Sequence, residues 1–345
     1  MTPDHRANST EARILANREW IRGKTRDGRA LVADELPAWN GPWRRRLRAF
    51  ALWKYDGVLI QVDAPWVLLV CGAKKLMPFV RCRVMCVDLI LTRPHGLLSR
   101  AKFVVRRWLL REVDRFVFYF RQTEELERVY DIPAHKIRYV PFKPNTRDSL
   151  LGMGTRDDGF FLSCGRSNRD LKTLFEAFRG LPYECRVLAR WNELEQHGTR
   201  IDGLERPNNV ILIADDGSAE SWNSWIARSR AVILPIQPGA LSPSGIGSYL
   251  VAMALNKCVI ITEGPATWEI LSERQAVLVP PSDPSSLARA VRRVAEDVSY
   301  REMISANGRA YALSLGGESR LQADLIRELV VLIDQDRSRT EQRFA

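Results

Sequence analysis

Two short clusters between residues 163 and 254 of the 345-residue chain combine residue types that suit an anion. The first is Ser163-Cys164-Gly165-Arg166-Ser167-Asn168-Arg169-Asp170-Leu171-Lys172. An apolar run ends there, a glycine permits a tight turn, and Asp170 is a good helix cap. In an open α/β sheet, ligands sit beyond the carboxyl ends of the strands, so Arg166 and Lys172 could both reach a diphosphate in that crevice. The second cluster, Leu241-Ser242-Pro243-Ser244-Gly245-Ile246-Gly247-Ser248, runs straight into Tyr249-Leu250-Val251-Ala252-Met253-Ala254. Small residues admit a ligand close to the backbone, and the helix that follows offers free N–H groups and a positive dipole end. Taken singly, each has a plainer reading: surface cations at a helix start, and a small-residue turn.

Alternating elements must position these turns. Strands are read at 160–164, 186–189, 210–213, 231–234, 259–261 and 277–279. Helices are read at 170–178, 219–227, 247–254, 284–295 and, as a short one, 267–271. In the first half, strands at 57–61, 83–87, 116–120 and 137–140 alternate with helices at 66–77, 99–113 and from Thr123. Such alternation predicts parallel sheets covered on both faces. The length favours two domains, and the Pro-, Gly- and charge-rich stretch 144–159 marks the boundary. The expected fold is therefore α/β, with two Rossmann-like doubly wound domains facing across a cleft. Residues 1–45 would be an N-terminal arm or modified first unit, 46–147 one domain, 148–330 the other, and 331–345 a tail.

In order along 160–312, the chain shows Gly165-Arg166 with Lys172 following, then Ala231-Val232-Ile233-Leu234-Pro235 and Ala252-Met253-Ala254. Asn256-Lys257-Cys258-Val259-Ile260-Ile261-Thr262 comes next, then Leu278-Val279-Pro280-Pro281 with Asp283 and Leu287-Ala288, and last Gly308-Arg309. This series resembles the C-terminal domain of GT-B retaining glycosyltransferases of the family 4 type (glycosyl transferases group 1). Segment 111–142 is similar to the end of their N-terminal domain.

The resemblance implies a nucleoside-diphosphate sugar on the C-terminal domain and a hydroxyl acceptor, a polysaccharide, glycan or lipid-linked sugar, on the N-terminal one. Transfer would proceed with retention, with no cofactor and no metal. Arg166 and Lys172 match the diphosphate-binding pair beside Gly165. Ser244, Gly245, Ile246, Gly247 and Ser248 match the loop whose amides meet phosphate and sugar, and Ile213 falls near the contact to the base. Many members carry two glutamates where this chain has Pro243 or Ser244 and Val251. A GT-B-like protein that binds a nucleotide or partner without catalysis is the alternative.

The charge of +11 is uneven. Residues 1–150 hold 29 Lys+Arg against 16 Asp+Glu, and the remainder 23 against 25. A balance of +13 in one half points to an anionic partner. The run Trp43-Arg44-Arg45-Arg46-Leu47-Arg48 and the helix around 101–111 would suit an anionic membrane surface. For that helix the other reading is core packing, with arginines reaching solvent along its edge. No RNA-binding motif or stacking signature favours nucleic acid. No apolar stretch is long enough to span a bilayer and no secretory signal is read, so a cytoplasmic protein, peripheral to the inner membrane face, is expected. Six cysteines without a CxxC pair read as buried thiols. Asp88 and His95, near the end of the 83–87 strand, are acceptor-side candidates without an assignable role.

Overall fold

The structure, a computed structural model, describes residues 10–36, 39, 49–94 and 96–344; the arginine run 43–48 and His95 lie outside them. The chain divides into two compact units, one made of Met1–Tyr119, Thr123–Val140 and Leu321–Ala345, the other of Phe120–Gln122 and Pro141–Arg320.

In the first unit, β1 (Glu11–Ala16) and β2 (Ala30–Glu35) precede β3 (Gly57–Gln61), α1 (Ala64–Leu76), β4 (Arg83–Val87), α2 (Leu97–Leu110), β5 (Arg115–Phe118), α3 (Glu124–Tyr130) and β6 (Ile137–Tyr139). The six strands form a parallel sheet in the order β2-β1-β3-β4-β5-β6. Residues 1–45 thus contribute two strands. They are hard to see in sequence because the exposed Glu11 and Arg13 interrupt the apolar run of β1, and 17–29 joins it to β2 without a helix.

Asp63 caps α1 by accepting from Trp66 N–H. Helix α2 departs from the usual rule that apolar residues face the core. Ala101, Val104, Val105 and Trp108, at helical spacing, face outward, with Val104 64% and Trp108 49% exposed. Its inner side carries Phe103, edge-on to Tyr130 at 5.0 Å, and the buried Leu110. Lys75 of α1 sits 4.4 Å above the Trp108 ring, and Leu76 and Phe79 nearby are exposed too.

In the second unit come α4 (Arg147–Leu151), β7 (Phe161–Cys164), α5 (Leu171–Phe178), β8 (Cys185–Ala189), β9 (Val210–Ala214), α6 (Ala219–Arg228), β10 (Ala231–Leu234), α7 (Ile246–Ala254), β11 (Cys258–Thr262), β12 (Val277–Val279), α8 (Pro284–Glu296) and α9 (Val298–Ser314). The sheet is again parallel, in the order β12-β11-β10-β7-β8-β9. Both faces are covered: Leu171, Leu174, Phe175, Phe178 and Leu287 pack on one, and Ile226, Tyr249, Leu250 and Met253 on the other. Asp170, Ser218, Asp283 and Asp297 cap α5, α6, α8 and α9 in turn. Gly308 lets α9 approach α7, since a Cβ there would meet Met253 Cγ at 3.1 Å.

Three expectations are corrected. The boundary falls at Pro141, not 148, and 144–159 is no simple linker: it includes α4, whose Leu150 is buried. The segment 267–271 is a set of turns instead of a helix, broken by Glu269 in the left-handed region at φ 59°. Of the expected tail, 331–344 belongs to a long helix, α10 (Glu318–Phe344). Its Leu329 and Ile333 are buried over Gly57, where a Cβ would come within 3.3 and 3.2 Å of them. Glu328 pairs with the buried Arg115 at 2.6 Å.

Candidate functional site

In the second unit, β7 and β10 are neighbours from which the chain turns outward in opposite directions, so the crevice beyond their carboxyl ends is the topological switch point. Gly165 leaves β7 with φ +99°, and a Cβ on it would lie 2.0 Å from Nη2 of Arg169. The Arg169 guanidinium therefore occupies space that only glycine leaves open. It is 3% exposed. Its Nε donates to the Cys164 carbonyl at 2.9 Å, Nη1 to the Ser167 carbonyl at 2.8 Å, and Nη2 to Ser248 Oγ at 3.4 Å. Among the described residues no carboxylate pairs with it. Burial pushes its pKa down to about 10, so it remains a cation at neutral pH. An unpaired buried cation is unfavourable by several kcal/mol and is placed where an anion can answer it.

The loop after β10 supplies the other side. Gly245, at φ +96°, is the N-cap of α7 and no side chain caps that helix. The first-turn amides of Ile246, Gly247 and Ser248 are thus left for a ligand, at the positive end of the helix. The two glycine-bearing loops are laced together: Asp170 N–H donates to the Pro235 carbonyl and Gln237 N–H to the Asn168 carbonyl, both at 2.9 Å. Asn168 Nδ2 donates to Ser244 Oγ at 2.9 Å. Thr199 buttresses the first loop, accepting from Arg169 N–H and donating to the Arg166 carbonyl.

A cavity of about 540 Å³ opens between these loops and extends over the ends of β8 and β9 to the start of α6. Gly165, Arg166, Arg169, Gly245, Gly247 and Ser248 line one end, and Arg190, Asp215, Gly217 and Trp222 the other, with Val251 of α7 on the wall. Arg166 and Arg190 grip opposite oxygens of Glu193 at 3.1 and 3.2 Å, which holds that carboxyl below its ordinary range, Arg190 first.

The structure brings Gly165, Arg166, Gly245, Gly247 and Ser248 together at the cavity. Ser244 is buried behind it and holds Asn168, while the Ile246 side chain packs on the core. Ile213 also packs on the core; Asp215, at the end of the same strand, lines the cavity in its stead. Lys172 does not join them. Its side chain is 70% exposed and faces Glu176 at 3.9 Å. With Asp170 as cap, the apolar residues at 171, 174, 175 and 178 turn one face of α5 to the core, and Lys172 falls on the other. The same count places Arg169 just before the cap, against the strand end. The sequence carries that signal in the cap at Asp170, whereas the spacing from Gly165-Arg166 alone points to Lys172. Among the described residues no three of His, Cys, Asp and Glu gather to hold a metal.

In the first unit, Asp88 sits at the end of β4 with φ 51°, and burial raises its carboxyl to about 6. Gln61 Nε2 donates to Tyr119 Oη at 3.1 Å from the ends of the two flanking strands.

Residues 186–297 match the model of the family described as Glycosyl transferases group 1. The match lies within the second unit and covers under half of the chain. The fold as a whole is shared with solved glycosyltransferases. Anabaena HepE in complex with UDP is 15% identical with a TM-score of 0.63, covering 88% of this chain and 87% of that one. Sucrose-phosphate synthase from Thermosynechococcus elongatus is 15% identical at TM-score 0.60, over 92% and 89%. A glycosyltransferase from Rickettsia africae is 12% identical at 0.59, over 87% and 85%. At such identities the likeness is one of fold, GT-B. No curated protein matches the chain in sequence.

Proposed function

We propose that this protein transfers a sugar, a hexose by family habit, from a nucleoside diphosphate to a hydroxyl of a glycan, polysaccharide or lipid-linked acceptor, with retention at the anomeric carbon. The observation that carries the reading is Arg169: a buried guanidinium without a counter-charge, wedged over Gly165 and beside the open end of α7. From β10 to β9 the cavity spans three strand spacings, roughly 14 Å, enough for a diphosphate at one end and a nucleoside at the other. That UDP occupies the HepE structure supports a nucleotide here. As the bond from C1 to the diphosphate breaks, the leaving oxygen takes the electron pair. The acceptor hydroxyl adds to C1 and its proton passes to the diphosphate. Arg169, Arg166 and the amides at Gly247 and Ser248 face the developing charge, a fixed donor of this kind contributing about 3 kcal/mol. A metal is not required for that electrostatic work.

The acceptor is assigned to the basic first unit. The outward stripe of α2, with Lys102 and Lys75 beside it, suits the inner face of an anionic membrane, where a lipid-linked acceptor would lie. Among the described residues no helix is long and apolar enough to cross a membrane.

Release of nucleoside diphosphate from a panel of nucleotide sugars, with and without sugar and lipid-linked acceptors, tests the reading. Turnover with one donor and an unchanged anomeric configuration in the product are expected; tight binding with no turnover of any donor would favour the non-catalytic alternative, for which the apolar Val251 speaks.

A further inference from the structure

Asp215 is the one acidic residue among the described residues that line the cavity. It closes β9, the edge strand, at the end of the cavity farthest from the glycine loops. Its side chain is 13% exposed. One oxygen, Oδ1, accepts from Gly217 N–H at 2.9 Å, which fixes the carboxylate across a tight turn. The other, Oδ2, lies 3.8 Å from Arg190 Nε, too long for a hydrogen bond. Arg190 is itself held in place: a Cβ on Gly217 would lie 2.0 Å from its Nη2, and its Nη1 is spent on Glu193. The carboxylate is therefore fixed at the cavity lining, with hydrogen-bond acceptor capacity left on Oδ2.

A carboxylate in that place cannot serve the phosphates, which it would repel. It calls for neutral hydrogen-bond donors on a ligand whose anionic part lies about three strands away. Gly247 and Ser248, in the first turn of α7, belong to the phosphate end, and beyond them the helix presents the cavity only with the buried, apolar Val251. The polar duty at the nucleoside end falls on the β9 turn.

We infer that Asp215 accepts from the ribose hydroxyls of the donor nucleotide and so selects ribonucleoside diphosphates over their dideoxy counterparts. This rests on the donor-site reading above. The group acts as an anchor for the ligand and takes no part in bond breaking. Arg190 and Gly217 are its positioning residues: they hold the carboxylate without neutralising it through a close pair.

Calorimetric titration of the full chain with UDP, GDP and ADP, and with the 2′,3′-dideoxy form of each, tests the assignment. The wild type should bind its preferred ribonucleotide roughly tenfold or more tightly than the dideoxy form, since a hydrogen bond to a charged group is lost. Asp215→Ala and Asp215→Asn should bind the two forms within about twofold of each other, with inorganic pyrophosphate affinity unchanged as the sign of an intact fold and phosphate end. Equal binding of ribo and dideoxy forms by the wild type overturns the assignment and leaves the donor site standing. Discrimination that survives in Asp215→Ala, or a change confined to base preference, overturns it as well. Failure of every nucleoside diphosphate to bind overturns this inference and the donor site together.

Discussion

At the scale of single residues, the site separates cations that look alike in sequence. Arg169 is buried and unpaired, Arg166 is half-exposed and shares Glu193, and Lys172 is solvated on the far face of α5. Lys172→Ala should leave nucleotide affinity within about twofold, as surface pairs are worth under about 1 kcal/mol. Arg166→Ala should weaken it by a modest factor, roughly tenfold or less. Binding isotherms of the two variants check the ranking, and a large loss on removing Lys172 would refute it. Asp88 gives a prediction of a different kind. Its carboxyl titrates near 6 in the folded protein, above the ordinary aspartate value, because burial disfavours the charge. The native state therefore holds a proton that the unfolded chain has released. Stability should fall as pH rises from about 4 to about 6 and level off above. Asp88→Asn should abolish that slope and melt higher at pH 8; urea midpoints at several pH values would show it. Glycine turns and cap residues were legible from residue type alone. The roles of Arg169 and Asp215 were not, because each depends on which way a turn aims a side chain.

At the scale of elements, the period of the apolar residues predicted most strands and helices of both sheets, since buried parallel strands read as short apolar runs. It failed where packing does not follow period. Strand β1 has Glu11 and Arg13 among its six residues and so does not stand out as an apolar run, and 267–271 reads as a short helix but has a left-handed Glu269. Helix α2 is the instructive case. Its stripe at 101, 104, 105 and 108 has the spacing of a core face yet points to solvent. Periodicity reveals a face and leaves open what covers it. If anionic lipid is the cover, Val104→Asp with Val105→Asp should abolish flotation with phosphatidylglycerol vesicles without lowering the melting temperature. Equal flotation of wild type with neutral and anionic vesicles would remove the membrane from the proposal.

At the scale of the whole molecule, the two sheets and their strand orders were foreseeable in class, while the way the chain is shared between units was not. Helix α10 begins with residues assigned to the second unit, and from Leu321 onward it completes the first, a long-range pairing that no local pattern reports. Leu329, fully buried over Gly57, should lower the unfolding free energy by about 2–5 kcal/mol when changed to Ala, read from denaturant melts. The basic balance of the first 150 residues and the near-neutral remainder fit a division of labour between acceptor and donor. That division hangs on whether the hollow of the second unit holds a diphosphate. Titration of wild type and Arg169→Met with UDP, GDP and ADP in a calorimeter decides it. One nucleotide should bind the wild type and lose roughly a hundredfold or more in the variant, which should melt no lower than wild type without ligand because it sheds an unpaired buried charge. Unchanged affinity in a folded Arg169→Met protein would contradict the donor site.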